Sequence, residues 1–214
     1  MNFKLFVFVI TIIVLHIHIT EFVIKKGKDH YRTIDRSSAS ETNRLLIWDM
    51  IQSNTSDYSK YNYSKNTYLL LFIVPFLYGV FTVENDVRRA ALGELGLKFA
   101  IILGLRSLSM VTTILPKSTT CEPFSAHGAR RVMNWFIGGG CYDKMFSGHM
   151  SFGIMTSLIM FKHGFVKKSP LLILLFIAIN AFHFLILAAT RSHFTVDLVV
   201  ASYVTFGVFL ANSN

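Results

Sequence analysis

The stretch PLLILLFIAINAFHFLILAATRSHFTVDLVVASY, residues 170–203, joins two long apolar runs through a short polar turn. A helix that spans a bilayer needs about 20 mostly apolar residues, with about 17 as the lower limit. Pro170–Ala189 meets this requirement easily, and Thr195–Ala211 just reaches it. The stretch therefore predicts two membrane helices that follow one another closely.

Four earlier segments of the chain are also apolar enough to count as membrane spans. They are Phe3–Ile24, Thr67–Val83, Leu95–Leu115 and Met150–Val166. Hydrophobic residues make up 52% of the 214 residues, which is too many for an ordinary soluble domain. We therefore expect an all-α membrane bundle of about six transmembrane helices, in which the second and sixth spans are short.

The chain divides into three parts on this pattern. Residues 1–24 form an N-terminal transmembrane helix, residues 25–66 a polar loop, and residues 67–214 a membrane domain with the remaining spans. A signal peptide is the alternative for the first part. Its amino-terminal region carries only one basic residue, Lys4, and no small-residue cleavage site follows, so an uncleaved helix is favoured.

The net charge of +9 comes from basic residues that lie between the apolar runs. Residues that flank a bilayer explain this placement, so no nucleic-acid partner is expected. The short loops Glu84–Glu94 and Lys167–Ser169 carry Arg88, Arg89, Lys167 and Lys168, which favours the cytosol. Loops 25–66, 116–149 and 190–194 are then expected on the lumenal or exoplasmic side. Lys25 and its basic neighbours favour the opposite orientation, but the preference of basic residues for the cytosolic side is weakest for long loops.

The loop 116–149 contains both cysteines of the chain, Cys121 and Cys141. An oxidising compartment would allow these two thiols to form a disulfide. Two unpaired thiols are the alternative.

Two histidines and an aspartate near the predicted helix ends form a candidate catalytic set. His193 and Asp197 are four residues apart, so they share a face if the last helix begins near His193. The carboxylate then fixes the tautomer of the imidazole and stabilises its charged form. His149 follows Ser147 and Gly148 at the predicted start of the fourth helix. One histidine as nucleophile and one as general acid suit phosphoryl transfer, whereas a purely structural His–Asp pair is the alternative.

The motifs around these residues resemble those of a known family. CYDKMFSGHM at 141–150 and RSHFTVD at 191–197 look like the two active-site motifs of the sphingomyelin synthase family, within the PAP2-like superfamily of lipid phosphatases and phosphotransferases. LRSLSMVTTILP at 105–116 resembles the family's segment before its lumenal loop. The resemblance extends over about Gly104–Tyr203, close to half the chain, and implies a PAP2-like core.

The resemblance implies a role for each matching residue. His193 would be the nucleophile that takes the headgroup phosphate, and Asp197 would orient it. His149 would protonate the leaving diacylglycerol and later accept a proton from the acceptor. Such a double displacement needs neither a metal nor a nucleotide cofactor. Candidate substrate-binding residues are Arg191, Arg106, Asp143, Ser147, Gly148 and Tyr142.

The substrates implied are a membrane phospholipid donor and a lipid alcohol such as ceramide, in the Golgi, endoplasmic reticulum or plasma membrane. Phosphatases of the superfamily carry a Lys-x6-Arg-Pro signature, and no Arg-Pro dipeptide occurs here. A monoester carries a charge of roughly −1.5 to −2, more than a diester, so fewer fixed cations favour a diester donor such as phosphatidylcholine. Tyr142 stands where the family usually has glycine, and Met150 where it has threonine. Phosphoinositol transfer, lipid phosphate hydrolysis and a catalytically silent lipid-binding protein therefore remain alternatives.

Overall fold

The computed structural model describes residues 3–37, 49–56, 58–61, 67–113 and 145–211. These residues form seven α-helices, and no β-strand occurs among them. The helices are α1 (Phe3–Ser37), α2 (Met50–Asn54), α3 (Leu70–Thr82), α4 (Asn85–Thr112), α5 (Gly148–Lys162), α6 (Pro170–Ala189) and α7 (Thr195–Ala211). This arrangement confirms the expected all-α membrane bundle.

Each of the six predicted spans contains a helix, but the helices differ in length. The Phe3–Gly27 part of α1, α4 and α6 are long and apolar enough to cross a membrane, while α3 and α7 are apolar but shorter. In α5, ten of the 15 residues are buried inside the protein. A helix that is surrounded by other helices does not need a surface suited to lipid.

Two helix boundaries differ from the prediction by ten residues or more. The first helix does not end at Ile24 but continues to Ser37, and the predicted loop Glu84–Glu94 is helical from Asn85 onward. Hydropathy marks where a helix leaves the apolar part of the bilayer. It does not mark where the backbone hydrogen bonds end, because charged residues are good helix formers outside the lipid.

The helix α5 lies at the centre of the bundle, in contact with α3, α4, α6 and α7. Serine side chains start both α5 and α6. The Ser147 hydroxyl accepts a hydrogen bond from the Met150 N–H, and Ser169 accepts one from Leu172, directly before Pro170. Serine at the N-cap and proline at the first helical position are typical of helix starts.

The helix α1 packs along α4 and forms a buried hydrogen bond with it. His16 Nδ1 lies 2.7 Å from the Ser107 hydroxyl, which itself donates to the Leu103 carbonyl at 2.8 Å. Since a hydroxyl has one hydrogen, His16 must be the donor to Ser107. Hydrogen bonds of this kind hold helices together at membrane depth.

A charged cluster, which we call the Glu94 cluster, joins three helices at one end of the bundle. Glu94 accepts from Lys98 at 2.7 Å and from Lys162 and His163 at 2.8 Å each. Lys98 is fully buried and also donates to the Phe209 carbonyl at the end of α7. The cluster thereby ties α4, α5 and α7 together.

Candidate active site

The two candidate histidines face each other at the end of the bundle opposite the Glu94 cluster. Their ring centroids are 6.2 Å apart, and the ring planes are inclined by 60°. His149 is the second residue of α5, and His193 lies in the turn between α6 and α7. Both side chains are buried, with 4% and 7% exposure. One small group placed between the rings would contact both.

Asp197 lies beside His193, but the two are not on one helical face as predicted. The helix α7 begins at Thr195, two residues after His193, so the turn and not the helix brings them together. The Asp197 Oδ2 lies 3.6 Å from His193 Nδ1, an ion-pair distance that is too long for a hydrogen bond. The same oxygen accepts from the Phe194 N–H at 3.0 Å. This bond fixes the carboxylate next to the imidazole.

The turn before His193 ends α6 in a Schellman motif. The N–H of Arg191 donates to the Ala188 carbonyl at 3.0 Å, and that of Ser192 to the Leu187 carbonyl at 3.1 Å. Arg191 occupies the left-handed position of this motif with φ 56°, where glycine is the usual residue. A side chain in this conformation costs about 1–2 kcal/mol. The backbone at Arg191 is therefore strained, because glycine would adopt this conformation without the cost.

Arg191 also connects the turn to the segment around α2. Its Nη2 donates to the Thr55 carbonyl at 3.0 Å. One of the guanidinium nitrogens is thus engaged in holding this segment, and the role of Arg191 in binding phosphate stays a prediction.

Asp49, which the sequence reasoning missed, caps the helix that follows His193. Its carboxylate accepts from the Thr195 backbone N–H and from the Thr195 hydroxyl, the latter at 2.6 Å. It also accepts from the Gln52 N–H and so starts α2. The helix α7 cannot be capped by its own preceding residue, since this is Phe194. A residue almost 150 positions away in the sequence therefore provides the cap.

Hydrogen bonds set both the charge and the position of this cap. Burial alone would raise the pKa of Asp49, but the hydrogen bonds from Gln52, Thr195 and Ile51 outweigh it and lower the pKa below the usual 3.8. Next to Asp49, the Gln52 side chain donates to the His193 carbonyl at 2.8 Å. The α2 segment thus holds the backbone on both sides of Phe194. The Asp-x-x-Gln spacing signals a helix start, but nothing in it indicates contact with α7.

Arg106 reaches the start of α5 from the C-terminal part of α4. A Cβ built on Gly148 would lie 2.9 Å from Arg106 Nη1, closer than real side chains approach, so a larger residue at this position would displace the guanidinium. Arg106 is 4% exposed. The N-terminus of a helix carries a partial positive charge. A buried guanidinium beside it favours an anion at this place.

Ser147 links the starts of α5 and α7. Besides capping α5, it donates its backbone N–H to the Asp197 carbonyl at 3.5 Å. The structure thus brings together six of the predicted site residues, namely His149, His193, Asp197, Arg106, Ser147 and Gly148. Asp143, Tyr142, Cys121 and Cys141 lie outside the described residues. Within the described ranges, no three His, Cys, Asp or Glu side chains are grouped as metal ligands would be.

Comparison with known protein families gives a match that covers part of this site. Residues 140–214 match the family described as PAP2 superfamily C-terminal. The PAP2-like segment is about a third of the chain and contains α5, α6 and α7, with both histidines and Asp197. The match supports the PAP2-like superfamily of lipid phosphatases and phosphotransferases, but not the sphingomyelin synthase family specifically. The chain matches none of the curated proteins.

Proposed function

We propose that this protein is a membrane lipid phosphotransferase that moves phosphocholine, or a related headgroup, from a glycerophospholipid to ceramide or another lipid alcohol. The observation that carries the proposal is the pair of buried imidazoles 6.2 Å apart, with Asp197 beside one of them. The PAP2-like match supports a lipid phosphatase or phosphotransferase of this general kind.

The residues suggest a two-step reaction. A ring nitrogen of His193 attacks phosphorus, and the bond from phosphorus to the diacylglycerol oxygen breaks while His149 protonates that oxygen. His149 then takes the proton of the acceptor hydroxyl, whose oxygen attacks phosphorus and releases His193. Asp197 stabilises the charge on His193 in the covalent intermediate, and Arg106 with the α5 N-terminus stabilises the phosphate oxygens.

The distribution of charge supports an active site on the non-cytosolic side. The Glu94 cluster, Arg88, Arg89 and the lysines between α5 and α6 lie at the end away from the histidines. Because basic residues favour the cytosolic face, the histidines belong to the lumenal or exoplasmic face.

Hydrolysis is the second candidate function, because the PAP2-like match covers phosphatases as well. In that case water would replace the lipid acceptor, and the site residues would keep their roles.

Reconstitution with defined lipids tests the proposal. The purified protein is placed in vesicles with phosphatidylcholine and labelled ceramide, with phosphatidylcholine and labelled diacylglycerol, or with labelled phosphatidic acid. A new labelled phosphocholine lipid is the expected result. Inorganic phosphate alone would assign hydrolysis instead, and turnover that is unchanged in His193→Ala would exclude this site.

A further inference from the structure

A cavity of about 650 Å³ lies between α5, α6 and α7. Its first α5 residue is Met150, which directly follows His149, and its last is Phe161. Cavities that bind small molecules in proteins are typically about 300–1,000 Å³ in volume, so this one is large enough to hold a ligand.

The walls of this cavity are almost entirely apolar. Three polar side chains line it, Ser157, Ser202 and Asn180, and each already donates a hydrogen bond within the protein. Ser157 and Ser202 donate to carbonyls of their own helices at 2.7 Å, and Asn180 donates to the Ser157 hydroxyl and the Phe176 carbonyl. Since these donors are engaged, the cavity fits hydrocarbon better than a polar molecule.

The length of the cavity matches one acyl chain of a lipid, which fills one leaflet of a bilayer. From Met150 to Phe161, α5 rises by about 16 Å at about 1.5 Å per residue. Half of a hydrocarbon core of about 30 Å is about 15 Å. At the deep end, Phe161 packs edge-to-face on Phe176 with ring centroids 5.1 Å apart. The cavity is therefore about as long as one acyl chain, and it ends at an aromatic pair directly before Lys162 of the Glu94 cluster.

We infer that this cavity binds one acyl chain of the lipid whose headgroup lies between His149 and His193. The inference rests on the proposed function for the identity of the headgroup. A lipid tail gains little hydrophobic energy by moving from bilayer to protein, because both surroundings are apolar. The cavity acts instead by holding the phosphorus between the imidazoles, and its end selects the chain length.

Two tryptophan variants separate the cavity from the lipid-facing surface. Ile177 lines the cavity, whereas Leu175, two residues earlier on α6, is similarly exposed and does not line it. Ile177→Trp is expected to slow turnover of a long-chain phosphatidylcholine about tenfold, because a displaced headgroup reacts slowly. Turnover of a short-chain, water-soluble phosphatidylcholine should stay within about twofold, and Leu175→Trp should leave both substrates unchanged. If Ile177→Trp does not fold, Ala181→Leu tests the same wall of the cavity.

Photolabelling tests the site without any turnover. A phosphatidylcholine with a diazirine near the end of one chain is incorporated around the purified protein, illuminated, and the labelled residues are mapped. Phe176 is only 7% exposed, so lipid on the outer surface does not reach it. We expect label on Phe161 and Phe176 in the wild type and in His193→Ala, and several-fold less in Ile177→Trp.

The outcomes distinguish this inference from the proposed function. Label at the aromatic pair with no turnover of any lipid supports the cavity and contradicts the proposed function. Transfer activity without this label, or an equal loss with short and long substrates in a folded Ile177→Trp, overturns the inference. Crosslinks between two copies of the chain at Ile177 would also overturn it, because another protein would then occupy the cavity.

Discussion

At one end of the bundle Glu94 accepts hydrogen bonds from Lys98, Lys162 and His163, whereas at the other end His149 and His193 face each other near Arg106. Both ends bury ionisable side chains, which is costly unless their charges are compensated. In the first cluster the carboxylate is bound by three cationic or titratable groups, and this joins helices. At the second, basic groups converge on the start of a helix, an arrangement that suits an incoming anion.

The largest expected effect is a loss of turnover when either His193 or His149 is replaced. His193→Ala should lower turnover by about 10⁴-fold or more, since it removes the nucleophile, and His149→Ala by about 10²- to 10⁴-fold. Neither change should lower the thermal unfolding temperature by more than a few degrees. Transfer rates and melting curves of the same preparations measure both quantities. His18→Ala, at an exposed position of α1, is the matched control. A comparable loss of activity in this variant would contradict a specific role of His149 and His193 in the reaction.

For the Glu94 cluster we expect a loss of stability without a loss of turnover. Glu94→Gln leaves the buried Lys98 without its carboxylate and should lower the free energy of unfolding by about 2 kcal/mol, less than a fully buried pair because Glu94 is partly exposed. Turnover per folded molecule should not change. Glu84→Gln, at an exposed position near the same end, should change stability by less than about 0.5 kcal/mol. A catalytic defect in folded Glu94→Gln would contradict a purely structural role for the cluster.

A change at Asp49 should lower both stability and turnover, because Asp49 caps α7 and also fixes the turn that carries His193. Asp49→Asn places an amide opposite the Thr195 N–H and should lower stability by about 1–2 kcal/mol, as the loss of a helix cap does. A displaced His193 should lower kcat about tenfold with little change in KM. Asp86→Asn, in the exposed first turn of α4, is the control.

The effect of Asp49 should depend on pH in one direction. Its folded-state pKa is lowered below the usual 3.8, so the ionised form stabilises the protein at neutral pH. This contribution is complete above the usual carboxyl pKa and is lost as the pH falls through the lowered value. Melting curves of wild type and Asp49→Asn should therefore differ at neutral pH and converge below about 3.8. A difference that grows in acid would contradict the cap.

The smallest effect concerns the strained turn next to His193. Arg191→Gly relieves the left-handed conformation and Arg191→Ala does not, so the glycine variant should be more stable than the alanine variant by about 1 kcal/mol. Both variants lose the hydrogen bond to Thr55 and should lose activity to a similar extent if the side chain serves the reaction. Chemical denaturation and transfer assays compare the two directly. Equal stability of the two variants would show that the turn is not strained.

Hydropathy was sufficient to predict the six long helices, because each span is an almost unbroken apolar run, but it did not predict the short helix α2 in the polar segment. The bounds of α6 and α7 agree with the prediction at both ends, since Ser169-Pro170 and a polar turn limit them. The extension of α1 to Ser37 could not be predicted this way, because a helix continues through charged residues once it leaves the lipid.

The histidines of the site were predictable, but the residues that position them were not. His149, His193 and Asp197 stand out because ionisable residues beside apolar runs are unusual and resemble known motifs. Asp49 and Gln52 lie in a polar segment that looks like any exposed loop, and only the folded chain brings them to His193. Likewise, the closeness of Arg106 to Gly148 depends on how α4 packs against α5.

The central claim is that His193 carries the headgroup during the reaction, and a trapped intermediate tests it most directly. The protein is mixed with phosphatidylcholine carrying a labelled headgroup, without acceptor, and is quenched in base, digested and analysed by mass spectrometry. The account predicts phosphocholine on a ring nitrogen of His193, its transfer to ceramide when acceptor is added before quenching, and no adduct in His193→Ala. An adduct on His149, or wild-type transfer at full rate in His193→Ala, would contradict it.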